Sequence, residues 1–251
     1  MIESWQLLLL TGTAVIAGTV NVIAGGGSLL TIPIMVFLGI PGPVANGTNR
    51  IAILAQSITA VIAFFRKGYA DFRLSLSLSL CAMPGTVAGA LLGTRLEGVW
   101  FNRVLALVMV GVILIMQLDQ DTDRPGRATG TAAPRNLLAG HLLMVLVGCF
   151  GGFIQVGVGF IFIPVLHRVM GMDLVTANMH KVFIIGCYTI VALAIFALKV
   201  EILWLTGLCL ALGSSAGAWL GTHISVSKGE PVIRWVLNIT LCLFIIKLLF
   251  F

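Results

Sequence analysis

The sequence predicts an all-α polytopic membrane protein made of two homologous helical repeats, and three observations lead there. The 251 residues are 59% hydrophobic and 10% charged, against roughly 25% charged residues in an ordinary soluble domain. Eight apolar runs approach the roughly 20 residues that cross a bilayer core. A motif pattern ahead of a polar central stretch returns behind it.

The runs cover residues 5–24, 44–65, 74–94, 104–118, 137–154, 174–198, 202–222 and 232–251. Glu3 precedes the first, with no Lys or Arg and no following cleavage-site pattern, so that run is read as a retained helix and not a signal peptide. Two further apolar stretches, 28–39 and 159–171, are broken and short. About 12 residues of helix rise only about 18 Å, well under the roughly 30 Å core. They are therefore read as re-entrant, which with eight spans gives parallel repeats and two cytoplasmic termini. Full crossing would instead make the repeats inverted.

Residues 119–136 hold Asp119, Asp121, Asp123, Arg124, Pro125, Gly126, Arg127, Pro134 and Arg135. This is the composition of a flexible tether, and it divides the chain into a first membrane repeat (1–118), a polar cytoplasmic linker (119–136) and a second membrane repeat (137–251). Arg66, Lys67 and Arg73 in one loop, with Arg124, Arg127 and Arg135 in the linker, place both loops in the cytoplasm. Topology thus accounts for the net charge of +6, and no nucleic-acid partner is implied.

The repeat appears when the two halves are overlaid. Pro33 falls on Pro164 at an offset of 131 residues. One inserted residue later, Gly39 falls on Gly171, Ala45-Asn46 on Ala177-Asn178 and Lys67 on Lys199, at an offset of 132. After a four-residue gap, Gly89-Ala90-Leu91-Leu92-Gly93-Thr94 reads as Gly217-Ala218-Trp219-Leu220-Gly221-Thr222. Duplicated bundles moving about a central site are typical of secondary transporters. No G-x-x-x-x-G-K-[ST] loop is present to bind ATP, so a gradient must drive any pumping.

Ala24-Gly25-Gly26-Gly27-Ser28 interrupts the apolar pattern, and helix is hard to continue through three glycines. Backbone released from a helix at membrane depth must be satisfied by protein, water or ligand, so such a break normally lines a cavity. The amides of Gly25, Gly26 and Gly27 and the Ser28 hydroxyl, at the positive end of the following half-helix, suit an anion. The structural alternative is close helix approach at small residues. Gln155-Val156-Gly157-Val158-Gly159 repeats the break with fewer glycines and adds the polar Gln155.

Asn46, Thr48, Asn49 and Arg50 open one long span, and Asn178, His180 and Lys181 open its counterpart. A cation within a membrane helix costs several kcal/mol unless it meets water, a partner or a ligand; snorkelling to headgroups is the alternative. Every Asp and Glu lies outside the depths of the runs. A transported anion would supply the missing counter-charge, with the amides and Thr48 bonding its oxygens. His180 is the one histidine beside this cluster, and it leaves proton coupling open.

No metal, cofactor or enzyme activity is expected. Cys81, Cys149, Cys187, Cys209 and Cys242 show no CxxC spacing, His141, His167 and His223 have no ligand spacing, and no nucleophile is paired with a base. Homo-oligomerisation is left open. A non-transporting scaffold or assembly protein is the competing class.

The glycine-rich break with Pro33, then Gly39-Ile40-Pro41 and Ala45-Asn46-Gly47-Thr48-Asn49-Arg50, resembles the sulfite exporter TauE/SafE family of membrane permeases. The resemblance continues through Pro164 and Thr176-Ala177-Asn178-Met179-His180-Lys181, and so spans nearly the whole chain. It implies transport of sulfite, organosulfonates or related sulfur-containing or carboxylate anions across the bacterial cytoplasmic membrane. Val156, Val158 and Phe160 depart from the family's glycine-rich pattern in the second break.

Overall fold

A computed structural model describes residues 3–96, 100–101, 103–108, 110–111 and 134–250. The linker expected at 119–136 lies outside the described residues except for 134–136, as does most of the run at 104–118.

Helix α1 (Ser4–Ile23) starts at Glu3, which forms a capping box with Gln6. It ends where Gly25 turns into the left-handed region at φ 94°. Helix α2 (Ser28–Phe37) stops before Gly39, also left-handed at φ 86°. Helix α3 (Gly42–Arg66) begins behind Pro41, and α4 (Phe72–Gly93) is capped by Asp71, whose Oδ1 accepts from Leu74 N at 3.1 Å. The second half opens with α5 (Leu137–Phe153), followed by α6 (Val158–Pro164), which runs on as a π turn, Val165–Val169. A π turn accommodates one extra residue in a helix, and this one falls between Pro164 and Gly171, where the overlay of the halves needs an insertion. Asp173 caps α7 (Leu174–Lys199) by accepting from Val175 N and Thr176 N. Helix α8 (Trp204–Phe250) is broken at Gly229 (φ 66°, ψ −157°) just before Pro231, so the runs at 202–222 and 232–251 fall on either side of one break.

The described chain is all helix and turn, and its polarity is inside out. Leu8, Leu138, Leu198 and Leu212 are each more than 70% exposed, while Asn46, Arg50, Asn178 and Thr189 are fully buried. A soluble protein rarely shows so much apolar surface; hydrocarbon is the solvent that makes it stable. Ser4–Ile23, Gly42–Arg66, Phe72–Gly93 and Leu174–Lys199 are long and apolar enough to cross a membrane, and Ser28–Phe37, Leu137–Phe153 and Val158–Val169 are shorter apolar helices.

Two helix pairs are packed backbone to backbone. On α4, a Cβ added to Gly85 or Gly89 would fall 1.9 Å from the carbonyl oxygen of Val145 or Cys149 on α5. On α8, Cβ atoms at Gly213 and Gly217 would fall 2.2 and 2.1 Å from the carbonyl oxygens of Thr11 and Val15 on α1. Residue numbers climb together in both pairs, so α4 runs parallel to α5 and α8 parallel to α1. Small residues four apart permit this approach, which replaces a hydrophobic driving force that helices in lipid lack.

Helices α3 and α7 cross at the centre in opposite directions. Gly47 meets Phe196 at one end of the crossing, and Ser57 meets Gly186 ten residues further on. Around the crossing, α3 packs against α8, and α7 against α4.

Candidate functional site

The two breaks touch. A Cβ on Gly25 would lie 2.3 Å from Gly159 Cα, and one on Gly159 would lie 2.2 Å from Gly25 Cα. Gly26 is closed by the Phe160 ring and Gly27 by the carbonyl of Ala17, with 2.5 and 2.3 Å left for a Cβ. Gly25 N–H donates to Val20 O, and Gly27 N–H to Asn21 Oδ1. Close approach is therefore what these glycines supply here, and the expectation that their amides stand open to an anion is corrected for Gly25 and Gly27.

Ser28, Thr31 and Asn49 close on one another: Asn49 Nδ2 donates to Ser28 Oγ at 3.1 Å, and Thr31 Oγ1 donates to Asn49 Oδ1 at 2.7 Å. This ties α2 to α3.

Arg50 answers the question of its missing counter-charge without a carboxylate. Its Nη1 donates to Gly151 O at 3.3 Å and Gln155 Oε1 at 2.8 Å, and its Nη2 donates to Gly152 O at 2.5 Å. Asn46 Nδ2 adds a bond to Phe153 O at 2.9 Å. Those carbonyls are the orphan acceptors of the last turn of α5, at the negative end of its dipole. The guanidinium also lies over the Phe196 ring, 4.3 Å from its centroid. Gln155, at a left-handed φ of 58°, donates in turn from Nε2 to Thr189 Oγ1.

Lys181 repeats the arrangement on α1. Its Nζ donates to Asn21 O at 3.1 Å, Val22 O at 2.9 Å and Asn178 Oδ1 at 2.6 Å, while Asn178 Nδ2 donates to Ile23 O at 3.0 Å. Both cations are fully buried, so snorkelling does not describe them. Each half reaches across and holds the end of the other half's first helix.

Two expected site residues turn elsewhere. Thr48 Oγ1 accepts from Leu203 N–H at 3.1 Å, facing the start of α8, and His180 Nδ1 pairs with Ser75 Oγ at 2.7 Å, facing α4. Thr48→Val should lower stability by about 1–3 kcal/mol, because Leu203 N–H loses its acceptor, without changing the affinity for a transported anion. Thermal unfolding in detergent beside flux measurements checks this. Sequence reasoning passed over Asn21, Ser57, Tyr188 and Thr189, all buried here.

A helical membrane protein with apolar flanks, two packed breaks and buried cations at its centre belongs to the polytopic transporter class. The sulfite exporter TauE/SafE family model matches residues 10–248, and the chain belongs to that family of membrane transporters. It is 30% identical to the probable membrane transporter protein ORF9 of Sinorhizobium sp, over 97% of this chain and 92% of that protein. It is 28% identical to the probable membrane transporter protein YfcA of Escherichia coli strain K12, over 100% and 92%. It is also 23% identical to the probable membrane transporter protein YunE of Bacillus subtilis strain 168, over 96% and 95%. No solved structure matches.

Proposed function

We propose that this transporter is a secondary carrier of small anions, of the sulfite, organosulfonate or related carboxylate class, with its site between two inverted repeats in a bacterial-type inner membrane. The observation that carries this reading is the reciprocal clasp. Asn46 with Arg50 holds the carbonyls of Gly151, Gly152 and Phe153, and Asn178 with Lys181 holds those of Asn21, Val22 and Ile23, each 130 residues earlier.

Helix starts support the repeat at one offset of 132: Gly42 with Leu174, and Phe72 with Trp204. The same offset pairs Gly85 with Gly217, which face Val145 and Val15. No four-residue gap is then needed, and the Gly-Ala-Leu-Leu-Gly-Thr match sits one helical turn away from the packing register. The opposed directions of α3 and α7 favour inverted repeats, against the parallel arrangement that goes with re-entrant segments. On this arrangement α1 begins at the face opposite the Arg66, Lys67 and Arg73 loop, which with 119–136 is cytoplasmic.

Inverted repeats exchange inward and outward forms by rocking about a fixed centre, and a clasp from each half to the other is where such rocking would be felt. Flux of labelled sulfite, sulfoacetate and simple carboxylates into proteoliposomes, at two imposed pH gradients, tests the reading. Saturable flux of one of them supports it, and a dependence on the gradient identifies protons as the coupling ion. Failure to move any anion under either gradient would sink it in favour of a scaffold.

A further inference from the structure

The two buried cations are not equivalent. An ammonium has three N–H donors, and Lys181 spends them on Asn21 O, Val22 O and Asn178 Oδ1. Arg50 spends Nη1 and Nη2, yet its buried Nε has no acceptor. Tyr188 Oη and Ser57 Oγ are likewise buried without a partner.

Arg50 Nε and Tyr188 Oη border one place, beside Gly151 at the end of α5. Tyr188 Oη lies against Gly151, where an added Cβ would stand 2.6 Å from it, and Gly151 O is an acceptor of Arg50. Ser57 stands apart, about 10 Å further along α3 than Arg50, against Gly186 of α7. The Phe196 ring covers the guanidinium and the Phe162 ring stacks on Tyr188 at 6.3 Å.

A buried donor left without an acceptor destabilises the fold. Beside Gly151 stand two such groups, Arg50 Nε and Tyr188 Oη, and Asn46 Oδ1, one turn before Arg50, is an unpartnered acceptor. A guanidinium N–H and a phenol O–H beside a fixed positive charge suit a small anion rich in acceptor oxygens. We infer that an oxyanion binds on the Arg50 side of the crossing, held by Arg50 Nε and Tyr188 Oη, while Lys181 serves only to hold α1. The site is thus asymmetric within a repeated frame. Thr222 and Ser225, which also carry orphan hydroxyls, lie apart on α8.

This assignment rests on the anion-carrier function proposed above, and the test separates the two. Purified wild type, Tyr188→Phe and Ser57→Ala are compared for labelled sulfite flux in proteoliposomes and for the rise in Tm that sulfite produces in detergent. Tyr188→Phe keeps the ring that stacks on Phe162, and each variant removes a hydroxyl that the unliganded protein leaves unpaired, so neither should melt below wild type. Ser57→Ala should keep the wild-type KM for sulfite and serve as the control, whereas in Tyr188→Phe that KM should rise roughly ten- to hundredfold, as expected for losing a hydrogen bond to a charged group. In Tyr188→Phe the maximal rate should hold and the sulfite-induced rise in Tm should shrink. Wild-type KM and wild-type thermal protection in Tyr188→Phe would overturn the assignment and leave the carrier intact. Absence of sulfite flux and of thermal protection in the wild type would overturn this assignment together with sulfite as substrate.

Discussion

Arg50→Gln loses anion flux in proteoliposomes, by more than about a hundredfold, while still purifying as a folded species. Removing one partner of a buried, hydrogen-bonded charge typically costs about 3–5 kcal/mol, and each 1.4 kcal/mol is a factor of about ten. Gln is neutral but keeps an NH₂ group that can reach one of the carbonyls of Gly151 and Gly152, which Arg50 now satisfies. Folding is thereby spared more than binding. Arg50→Ala leaves those carbonyls and Gln155 Oε1 without their donor at membrane depth, where nothing else satisfies them. That variant should therefore also melt several degrees lower, since about 1 kcal/mol shifts Tm by roughly 2–4 °C in a chain of this size. Flux and size-exclusion profiles of the two variants check both halves of this expectation. Wild-type flux by Arg50→Gln would remove the cation from the transport cycle.

The overall plan was legible because polarity is conspicuous inside apolar runs. Asn46, Arg50, Asn178 and Lys181 stand out for that reason, and the structure brings them to the centre. What satisfies them was not legible, since a helix's last carbonyls exist whatever its side chains are, and Gly151, Gly152, Val22 and Ile23 carry no sign of the role. Helical phase holds more information than composition uses. Thr48 and His180 each sit two residues, about 200°, from the asparagine that faces the centre, and both turn out to face other helices. Tyr188 sits seven residues beyond Lys181, two turns along α7 in the same helical phase, and was visible on that criterion. The glycine triplet misled in a different way. Three glycines permit either an open backbone or a closed one, and only the opposing Gly159, Phe160 and Ala17 decide between them.

Gly89→Val should abolish accumulation of folded protein, and Gly217→Val should do the same from the other half of the molecule. Overpacking a core usually costs about 1–3 kcal/mol because neighbouring side chains yield. Here the obstacle is backbone: a Cβ on Gly89 would stand 1.9 Å from Cys149 O, and one on Gly217 would stand 2.1 Å from Val15 O. Neither carbonyl can rotate away without giving up its helical bond, so α4 must separate from α5, or α8 from α1, along their whole parallel contact. Gly12 provides the contrast, since nothing lies within 4 Å of a Cβ there. Gly12→Val should fold, since Val is a better helix former than Gly even with its β-branch. Fluorescence-detected size-exclusion of the three variants from whole-membrane extracts separates the cases. A monodisperse peak for Gly89→Val would show that the α4–α5 contact is looser than its geometry demands. Loss of both repeat positions with survival of Gly12→Val would make the two backbone-packed pairs the walls against which the α3–α7 crossing moves.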